Sequence, residues 1–174
     1  MSPTAGTPAD TTPEEGTASS VVALALEKHL TVATAESLTA GMVASALADT
    51  PGASGMLQGG VVAYQNSVKA KVLGVSGDLL AAVGSVDGAV AAAMADGARL
   101  ACGADVGIST TGVAGPEPHD GKAVGTVFIG VSTADGSTAF EYGFDGGRPS
   151  IRRQACDAAL ARLFEALTST GYRL

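Results

Sequence analysis

"TVATAESLTAGMVASALADT", residues 31–50, joins a short apolar run to a helix-like segment through a few polar and small residues. The small and β-branched residues of TVATA (31–35) predict a buried strand. Residues 40–50 predict a helix that ends at Pro51 and Gly52, since both residue types terminate helices. A strand that passes directly into a helix is typical of an α/β fold.

The elements predicted around this stretch continue to alternate and then end in a hairpin. The turn signal Ala-Asp-Gly at 134–136 joins the last two strands, so we expect those strands to be antiparallel. Asn66 and Ser85 are expected to cap two helices, and Gly74 is expected to end one. We therefore predict an α/β domain with a mixed sheet and helices on both faces. The predicted strands are 31–35, 59–65, 104–112, 125–133 and 137–144, and the predicted helices are 19–30, 40–50, 66–74, 78–83, 87–101 and 149–167.

Composition limits the classes of partner. The chain has 174 residues, of which 46% are hydrophobic, enough for one domain with a core. Its net charge of −7 argues against nucleic acid as a partner, because binding phosphates needs clustered lysines and arginines. The sequence has no apolar run of membrane-spanning length and no signal-peptide pattern, so we expect no membrane partner and a cytoplasmic location. Residues 1–17, rich in Thr, Pro and Glu, predict a disordered tail before a domain over 18–174.

Three predicted loops carry residues that can act on a ligand. They are ESLTAG (36–41), YQNSVK (64–69) and TTGVAGP (110–116), and each follows a predicted strand. In an open α/β sheet, ligands bind beyond the carboxyl ends of the strands. We therefore expect these loops to form the functional site.

Ser37 and Lys69 are the candidates for nucleophile and base. Ser37 is expected at the start of a helix, where free backbone N–H groups can bind an oxyanion; the alternative is that Ser37 or Thr39 only caps the helix. A nucleophilic serine needs a base. Near the start of its helix, Lys69 would have a lowered pKa, because the helix dipole and burial both disfavour an ammonium ion; the alternative is a solvated lysine. A Ser-His pair with His119, in a proline-rich loop, has no further support.

Other residues of the three loops have weaker signals. Tyr64 stands five residues before Lys69, and both side chains can point into one cleft; edge packing is the alternative for Tyr64. Thr111 offers a hydroxyl, and Gly112 lets a ligand approach the backbone, although a tight turn explains the same glycine. No group of histidines, cysteines and acids has the spacing of a metal site, so we expect no metal.

Arg148 and Arg152 lie one helical turn apart at the start of the last predicted helix. Cations at a helix start oppose the helix dipole unless an anion is bound. The two guanidinium groups could therefore clamp a phosphate. The alternative is surface pairing with Asp145 or Asp157.

Five separate stretches, in this order and spacing, resemble one known family. The chain is similar to the CinA C-terminal domain family, the nicotinamide-nucleotide amidases, from about residue 20 to residue 167. The stretches that carry the resemblance are AESLTAG (35–41), GGVVAYQNSVKAKVLGV (59–75), STTGVAGP (109–116), KAVGTVFIGV (122–131) and GRPSIRRQACDAAL (147–160).

The resemblance implies a single three-layer α/β/α domain that hydrolyses the amide of nicotinamide mononucleotide. The products would be nicotinate mononucleotide and ammonia, in pyridine-nucleotide salvage, without a metal, and we expect no cofactor. The family's nucleophile falls on Ser37 and its catalytic lysine on Lys69, while its motif tyrosine and threonine fall on Tyr64 and Thr111. We expect substrate contacts from Glu36, Thr39, Gly41, Asn66, Gly112, Arg148 and Arg152. Since the Ala-rich helices can pack closely, we also expect a homodimer.

The strand-to-helix loop then receives specific roles. Thr39 and the backbone are expected to cap the helix, which leaves Ser37 free as nucleophile. Glu36 is expected either to orient Lys69 or to contact the ribose. The backbone N–H groups near Leu38 and Thr39 are expected to form the oxyanion hole.

Two departures from the family pattern bear on substrate fit. Ala40 replaces a glycine, which would distort the loop if the position needs a positive φ. Residues 117–123 form a stiffer and more acidic loop than the family's glycine-rich one. Two alternatives therefore stay open: a catalytically weak nucleotide-binding protein of the same fold, and a Ser-Lys enzyme for another amide or ester.

Overall fold

The computed structural model describes residues 13–172, and strands and helices alternate in it as predicted. The strands are β1 (Val32–Glu36), β2 (Leu57–Val62), β3 (Val106–Gly112), β4 (Thr126–Thr133) and β5 (Gly136–Gly143). The helices are α1 (Ala18–Lys28), α2 (Met42–Ala48), α3 (Asn66–Leu73), α4 (Gly77–Val83), α5 (Gly88–Cys102) and α6 (Arg148–Ser169), with a short 3-10 turn at Ala53–Gly55.

The strands form one mixed sheet in the order β2-β1-β3-β4-β5. Strands β2, β1 and β3 are parallel, while β4 and β5 continue the sheet as antiparallel neighbours. Glu36, the last residue of β1, pairs with Val62 on one side and Thr110 on the other. This register brings the three loops that follow β1, β2 and β3 to the same edge of the sheet.

Helices cover both faces of the sheet, which confirms the predicted three-layer α/β/α architecture. On one face α1, α2 and α6 share a core cluster that includes Val21, Leu47 and Leu163. On the other face α3, α4 and α5 pack over small strand residues such as Ala33. Helix α5 lies so close that a Cβ added to Gly130 of β4 would collide with the carbonyl oxygen of α5 residue Ala91.

Two predicted helix caps are wrong. Helix α3 begins at Asn66, so its cap is Gln65 rather than Asn66. Helix α5 is capped by Asp87, whose side chain accepts a hydrogen bond from Ala89 N, and not by Ser85. Ser85 lies two residues before that cap, and its hydroxyl donates to Asp120.

The N-terminal segment is described from residue 13 onwards. Residues 1–12 of the predicted tail lie outside the described residues. Residues 13–17 lead into α1 through a turn, and Thr17 caps that helix through reciprocal hydrogen bonds with Ser20. Between residues 13 and 172, none of the helices is long and apolar enough to cross a membrane.

Candidate active site

The loops after the parallel strands form one continuous cleft wall. Ser37 N donates to Thr110 O over 3.0 Å, and Ala63 N donates to Glu36 O over 2.9 Å. These bonds extend the sheet pairing by one residue past the ends of β1 and β2. Ser37 and Ala63 therefore start their loops side by side, and Ser37 lies next to the end of β3, where Thr111 is the last residue but one.

The side chain of Lys69 reaches from α3 into this wall and contacts Ser37. Its Nζ lies 3.2 Å from Ser37 Oγ and donates to the carbonyl oxygens of Ala63 over 2.9 Å and Tyr64 over 3.3 Å. Lys69 is only 1% exposed. The structure thus joins two of the predicted catalytic residues, which stand 32 positions apart in the sequence.

The surroundings of Lys69 favour its uncharged form more than water does. Burial lowers the pKa of the Lys69 amine from 10.5 to about 8, although the negative charge of Asp120 acts in the opposite direction. An uncharged amine has two N–H donors and one lone pair. Two carbonyls can take the donors, and the lone pair is then free to accept the hydroxyl proton of Ser37.

Glu36 holds the start of α2 and does not face the cleft, which corrects its expected role towards Lys69 or a ribose. Its carboxylate accepts hydrogen bonds from Gly41 N, Val43 N and Ala44 N at 2.9, 3.1 and 2.9 Å. It also accepts one from Thr39 Oγ1 at 2.6 Å, and Glu36 is 1% exposed. The carboxylate therefore caps α2, at the end of the helix dipole that favours a negative charge.

Thr39 and Gly41 belong to the same helix cap. Neither residue offers a side chain to a ligand in the cavity. Thr39 is fully buried, and its hydroxyl also lies 2.7 Å from Thr110 Oγ1. Gly41 has φ 99° and gives its N–H to Glu36. Since Glu36 caps the helix, the hydroxyl of Ser37 is not needed as a cap.

Arg152 supports the Ser37 loop from behind. Its Nε donates to Leu38 O over 2.8 Å and its Nη2 to Thr39 O over 3.2 Å. These bonds turn the guanidinium towards the loop backbone. Arg152 therefore does not form the expected phosphate clamp together with Arg148. Neither arginine forms an ion pair with Asp145 or Asp157 within the described part of the chain.

The backbone between Ser37 and Gly41 leaves two N–H groups available. Ala40 N donates to Ser37 O, but within residues 13–172 neither Leu38 N nor Thr39 N has a hydrogen-bond acceptor. Ala40 has φ 48°, so this position does take the positive φ for which a glycine is better suited. The loop keeps this turn with alanine, and Leu38 lines the cavity beside Ser37, whereas Thr39 is fully buried.

A cavity of about 340 Å³ opens in front of Ser37. Its wall includes Leu38, Tyr64, Thr111, Gly112 and Arg148, followed by the loop from 113 to 119. Arg148 lies at its rim, where Nη2 donates to Tyr64 Oη and Nη1 to Gly115 O, both over 2.7 Å. Tyr64 is 50% exposed, and its carbonyl rather than its hydroxyl contacts Lys69.

Three further predicted or considered residues, Thr111, Asn66 and His119, lie around this cavity. Thr111 is buried, and its hydroxyl donates to Ser85 O over 2.7 Å. Asn66 is exposed and lines a smaller adjoining cavity of about 280 Å³, together with Tyr64 and His119. His119 Nε2 lies 3.5 Å from Asp120 Oδ2, and both residues belong to the loop 113–123, called the outer loop below.

Sequence reasoning missed Ser85, which lines the cavity, and the contact between Ser85 and Asp120. Asp120 Oδ2 accepts hydrogen bonds from Ser85 N and Ser85 Oγ over 35 positions of sequence. The acidic character of residues 117–123 was the available sequence signal, but it did not indicate that Asp120 binds Ser85. In the described chain, no three histidines, cysteines or acids are placed to hold a metal ion.

Comparisons with known proteins identify the family. The family model of the CinA C-terminal domain matches residues 14–167. A CinA-like protein of Frankia casuarinae is 47% identical over 140 residues, which cover 80% of this chain and 32% of that protein. A CinA-like protein of an Anaeromyxobacter species is 47% identical over 150 residues, covering 84% of this chain and 36% of that protein. The chain thus spans about a third of the length of these curated relatives.

Solved structures agree in fold over nearly their full length. A competence-damaged protein (CinA) superfamily protein of Klebsiella pneumoniae has a TM-score of 0.84 at 30% identity, covering 88% of this chain and 96% of that one. A protein of the same superfamily from Escherichia coli has a TM-score of 0.82 at 32% identity, covering 90% and 94%. The chain therefore belongs to the CinA C-terminal domain family.

Proposed function

We propose that this domain hydrolyses the amide of nicotinamide mononucleotide to nicotinate mononucleotide and ammonia, with Ser37 as nucleophile and Lys69 as base. The observation that carries the proposal is the 3.2 Å contact between Lys69 Nζ and Ser37 Oγ at the wall of a cavity. A buried lysine whose pKa lies near 8 has a useful uncharged fraction close to neutral pH. A serine beside such a base is an activated nucleophile.

In the first half of the reaction, an ester forms on Ser37. Uncharged Lys69 takes the hydroxyl proton as Ser37 Oγ attacks the amide carbon, and the amide oxygen becomes an oxyanion. The N–H groups of Leu38 and Thr39, which have no other acceptor within residues 13–172, are the proposed donors to that charge. The C–N bond then breaks, Lys69 gives its proton to the leaving nitrogen, and ammonia departs.

In the second half, water releases the acid. Lys69 takes a proton from water as the water oxygen attacks the ester carbon. The bond between that carbon and Ser37 Oγ breaks, and Lys69 returns the proton to Ser37. The carboxylic acid product ionises, and at neutral pH ammonia takes up this proton. The sum is one amide and one water converted to a carboxylate and an ammonium ion, by the chain's own residues.

Arg148 is the proposed partner of the substrate phosphate. A guanidinium group has five N–H donors, and Arg148 uses one on Tyr64 Oη and one on Gly115 O. Three donors at the cavity rim are left for an anion. Tyr64 would then hold Arg148 in place, Gly112 would let the ligand approach the backbone, and Asn66 would contact it from the adjoining cavity.

The proposed function is tested by ammonia release from nicotinamide mononucleotide, with a chelator present throughout. We expect turnover by the wild type and a loss of roughly 10³-fold or more in Ser37→Ala. Circular dichroism of Ser37→Ala should match the wild type, because Ser37 is not the helix cap. A silent wild type, or a Ser37→Ala variant with wild-type turnover, would contradict the proposal.

The proposal also includes a homodimer in the cytoplasm. Sedimentation at several protein concentrations measures the first part directly. A single species with the mass of one chain at micromolar concentration would contradict it.

A further inference from the structure

Asp120 crosses from the outer loop to the opposite wall of the cleft. Its Oδ2 accepts hydrogen bonds from Ser85 N over 2.6 Å and from Ser85 Oγ over 2.8 Å. The side chain also fills the space beside Gly84, where an added Cβ would lie 2.6 Å from the same oxygen. The carboxylate is therefore seated in a place shaped for it.

The tip of the outer loop is built to present Asp120. His119 and Lys122 exchange both backbone hydrogen bonds, His119 N to Lys122 O at 3.1 Å and Lys122 N to His119 O at 2.8 Å. Asp120 and Gly121 form the turn between them, both with positive φ, at 49° and 70°. Aspartate followed by glycine is a common pair in such a turn, and here the turn places the Asp120 carboxylate against Ser85.

Ser85 connects Asp120 to β3 at the edge of the sheet that carries Ser37. Its carbonyl oxygen accepts a hydrogen bond from the Thr111 hydroxyl over 2.7 Å, and Thr111, near the end of β3, lines the cavity together with Ser37. The carboxylate of Asp120 thus fixes Ser85, and Ser85 fixes the end of β3. The same carboxylate is the charged group that acts on Lys69, whose other neighbours are Ser37 Oγ and two backbone carbonyls.

We propose that Asp120 is a positioning residue for the proposed hydrolysis, which latches the outer loop 113–123 to Ser85 and so fixes the cavity wall beside Ser37 and Lys69. The inference rests on the proposed function, since it assigns Asp120 to that reaction. Asp120 need not touch the substrate. Its effect reaches the reacting atoms through Ser85 and Thr111, and through its charge.

Two substitutions separate the latch from the charge. Asp120→Ala removes both, and we expect kcat/KM to fall by roughly tenfold or more because the wall beside Ser37 is no longer held. Asp120→Asn keeps an oxygen that can accept from Ser85, so most of that loss should be recovered. Since the charge of Asp120 raises the pKa of Lys69, Asp120→Asn should also move the midpoint of the kcat/KM profile to lower pH. A merely structural role would not move that midpoint.

Matched changes at Asp135 serve as the control. Asp135 is an exposed acid in the turn between β4 and β5, at the edge of the sheet opposite the cleft. Asp135→Ala and Asp135→Asn should leave kcat/KM and its pH midpoint as in the wild type. Hydrogen exchange at the Ser85 amide should quicken in Asp120→Ala alone.

The outcomes distinguish the two claims. If the wild type releases ammonia while both Asp120 variants keep its kcat/KM and pH midpoint, the role of Asp120 is overturned and the proposed function stands. If the wild type releases no ammonia, the proposed function fails, and with it the role of Asp120 in that reaction. If Asp120→Ala does not fold, Ser85→Ala decides, because it removes one of the two hydrogen bonds to Asp120 and keeps the carboxylate: an unchanged kcat/KM overturns the proposal.

Discussion

Lys28 and Lys69 are two buried lysines with different partners. They are 9% and 1% exposed. Lys28 Nζ donates to three carbonyls at the end of α6, those of Leu167, Thr168 and Thr170, at 2.8, 2.8 and 2.7 Å. Lys69 Nζ has two carbonyls and the hydroxyl of Ser37. Both lysines are buried and both donate to backbone carbonyls. The difference is that Lys69 contacts a hydroxyl where Lys28 has a third carbonyl, and this contact makes Lys69 a candidate base.

Their places on the helix dipoles strengthen this contrast. The carboxyl end of α6 carries a partial negative charge, and the Lys28 side chain donates its hydrogen bonds there. Lys69 lies in the first turns of α3, away from such a charge. Lys28 therefore ties α1 to α6, while Lys69 is free to exchange a proton with Ser37.

The largest expected effect comes from replacing each lysine with methionine. Lys69→Met should lower kcat for ammonia release by roughly 10³-fold or more, because the base is lost. Lys28→Met should stay within about twofold of the wild type, since its contacts are remote from the cleft. Comparable activity losses in the two folded variants would remove the distinction.

The stability of the same two variants should rank in the opposite order. Lys28→Met leaves three backbone carbonyls without their donor, which should lower the free energy of unfolding by about 2–3 kcal/mol. Lys69→Met leaves two carbonyls but also removes an amine whose charged form burial disfavours, so the loss should be smaller. Urea unfolding at pH 7 measures both. A larger loss for Lys69→Met would reverse the structural assignment of the lysines.

Two arginines of α6, Arg148 and Arg152, repeat the contrast at a smaller scale. Arg148→Gln should raise KM for nicotinamide mononucleotide by roughly tenfold and change kcat little, because it removes a charge at the cavity rim. Nicotinamide riboside, which lacks the phosphate, is the control substrate and should show no such change. Arg152→Gln should instead lower kcat, since Arg152 holds the carbonyls of Leu38 and Thr39. An equal rise in KM for both substrates would contradict the phosphate role of Arg148.

The smallest expected effect is at Ala40. With φ 48°, alanine occupies a conformation that glycine adopts without strain. Ala40→Gly should therefore raise the free energy of unfolding by about 0.5–1 kcal/mol and leave turnover near the wild-type value. Thermal unfolding and the ammonia assay check the two parts. A destabilised Ala40→Gly would mean that the alanine side chain contributes contacts that outweigh the backbone strain.

The order of elements and the meeting of three loops could be predicted from the sequence, because parallel strands place their carboxyl ends at one edge. The closeness of Ser37 and Lys69 follows from that rule together with the helix after β2. The cap formed by Glu36 could not be predicted, because its acceptors serve N–H groups five to eight positions later. The contacts of Arg152 and Asp120 could not be predicted either, since their partners lie 114 and 35 positions away and no local pattern indicates them.

The pH dependence of kcat/KM for ammonia release tests the central claim most directly, namely that uncharged Lys69 activates Ser37. The lysine must be unprotonated, so kcat/KM should rise about tenfold per pH unit below pH 8 and level off above it, with a midpoint near the Lys69 pKa of about 8. Lys28→Met should show the same midpoint. A profile that stays flat from pH 6 to 9, or one with a midpoint near the usual histidine value of about 6.5, would contradict the account.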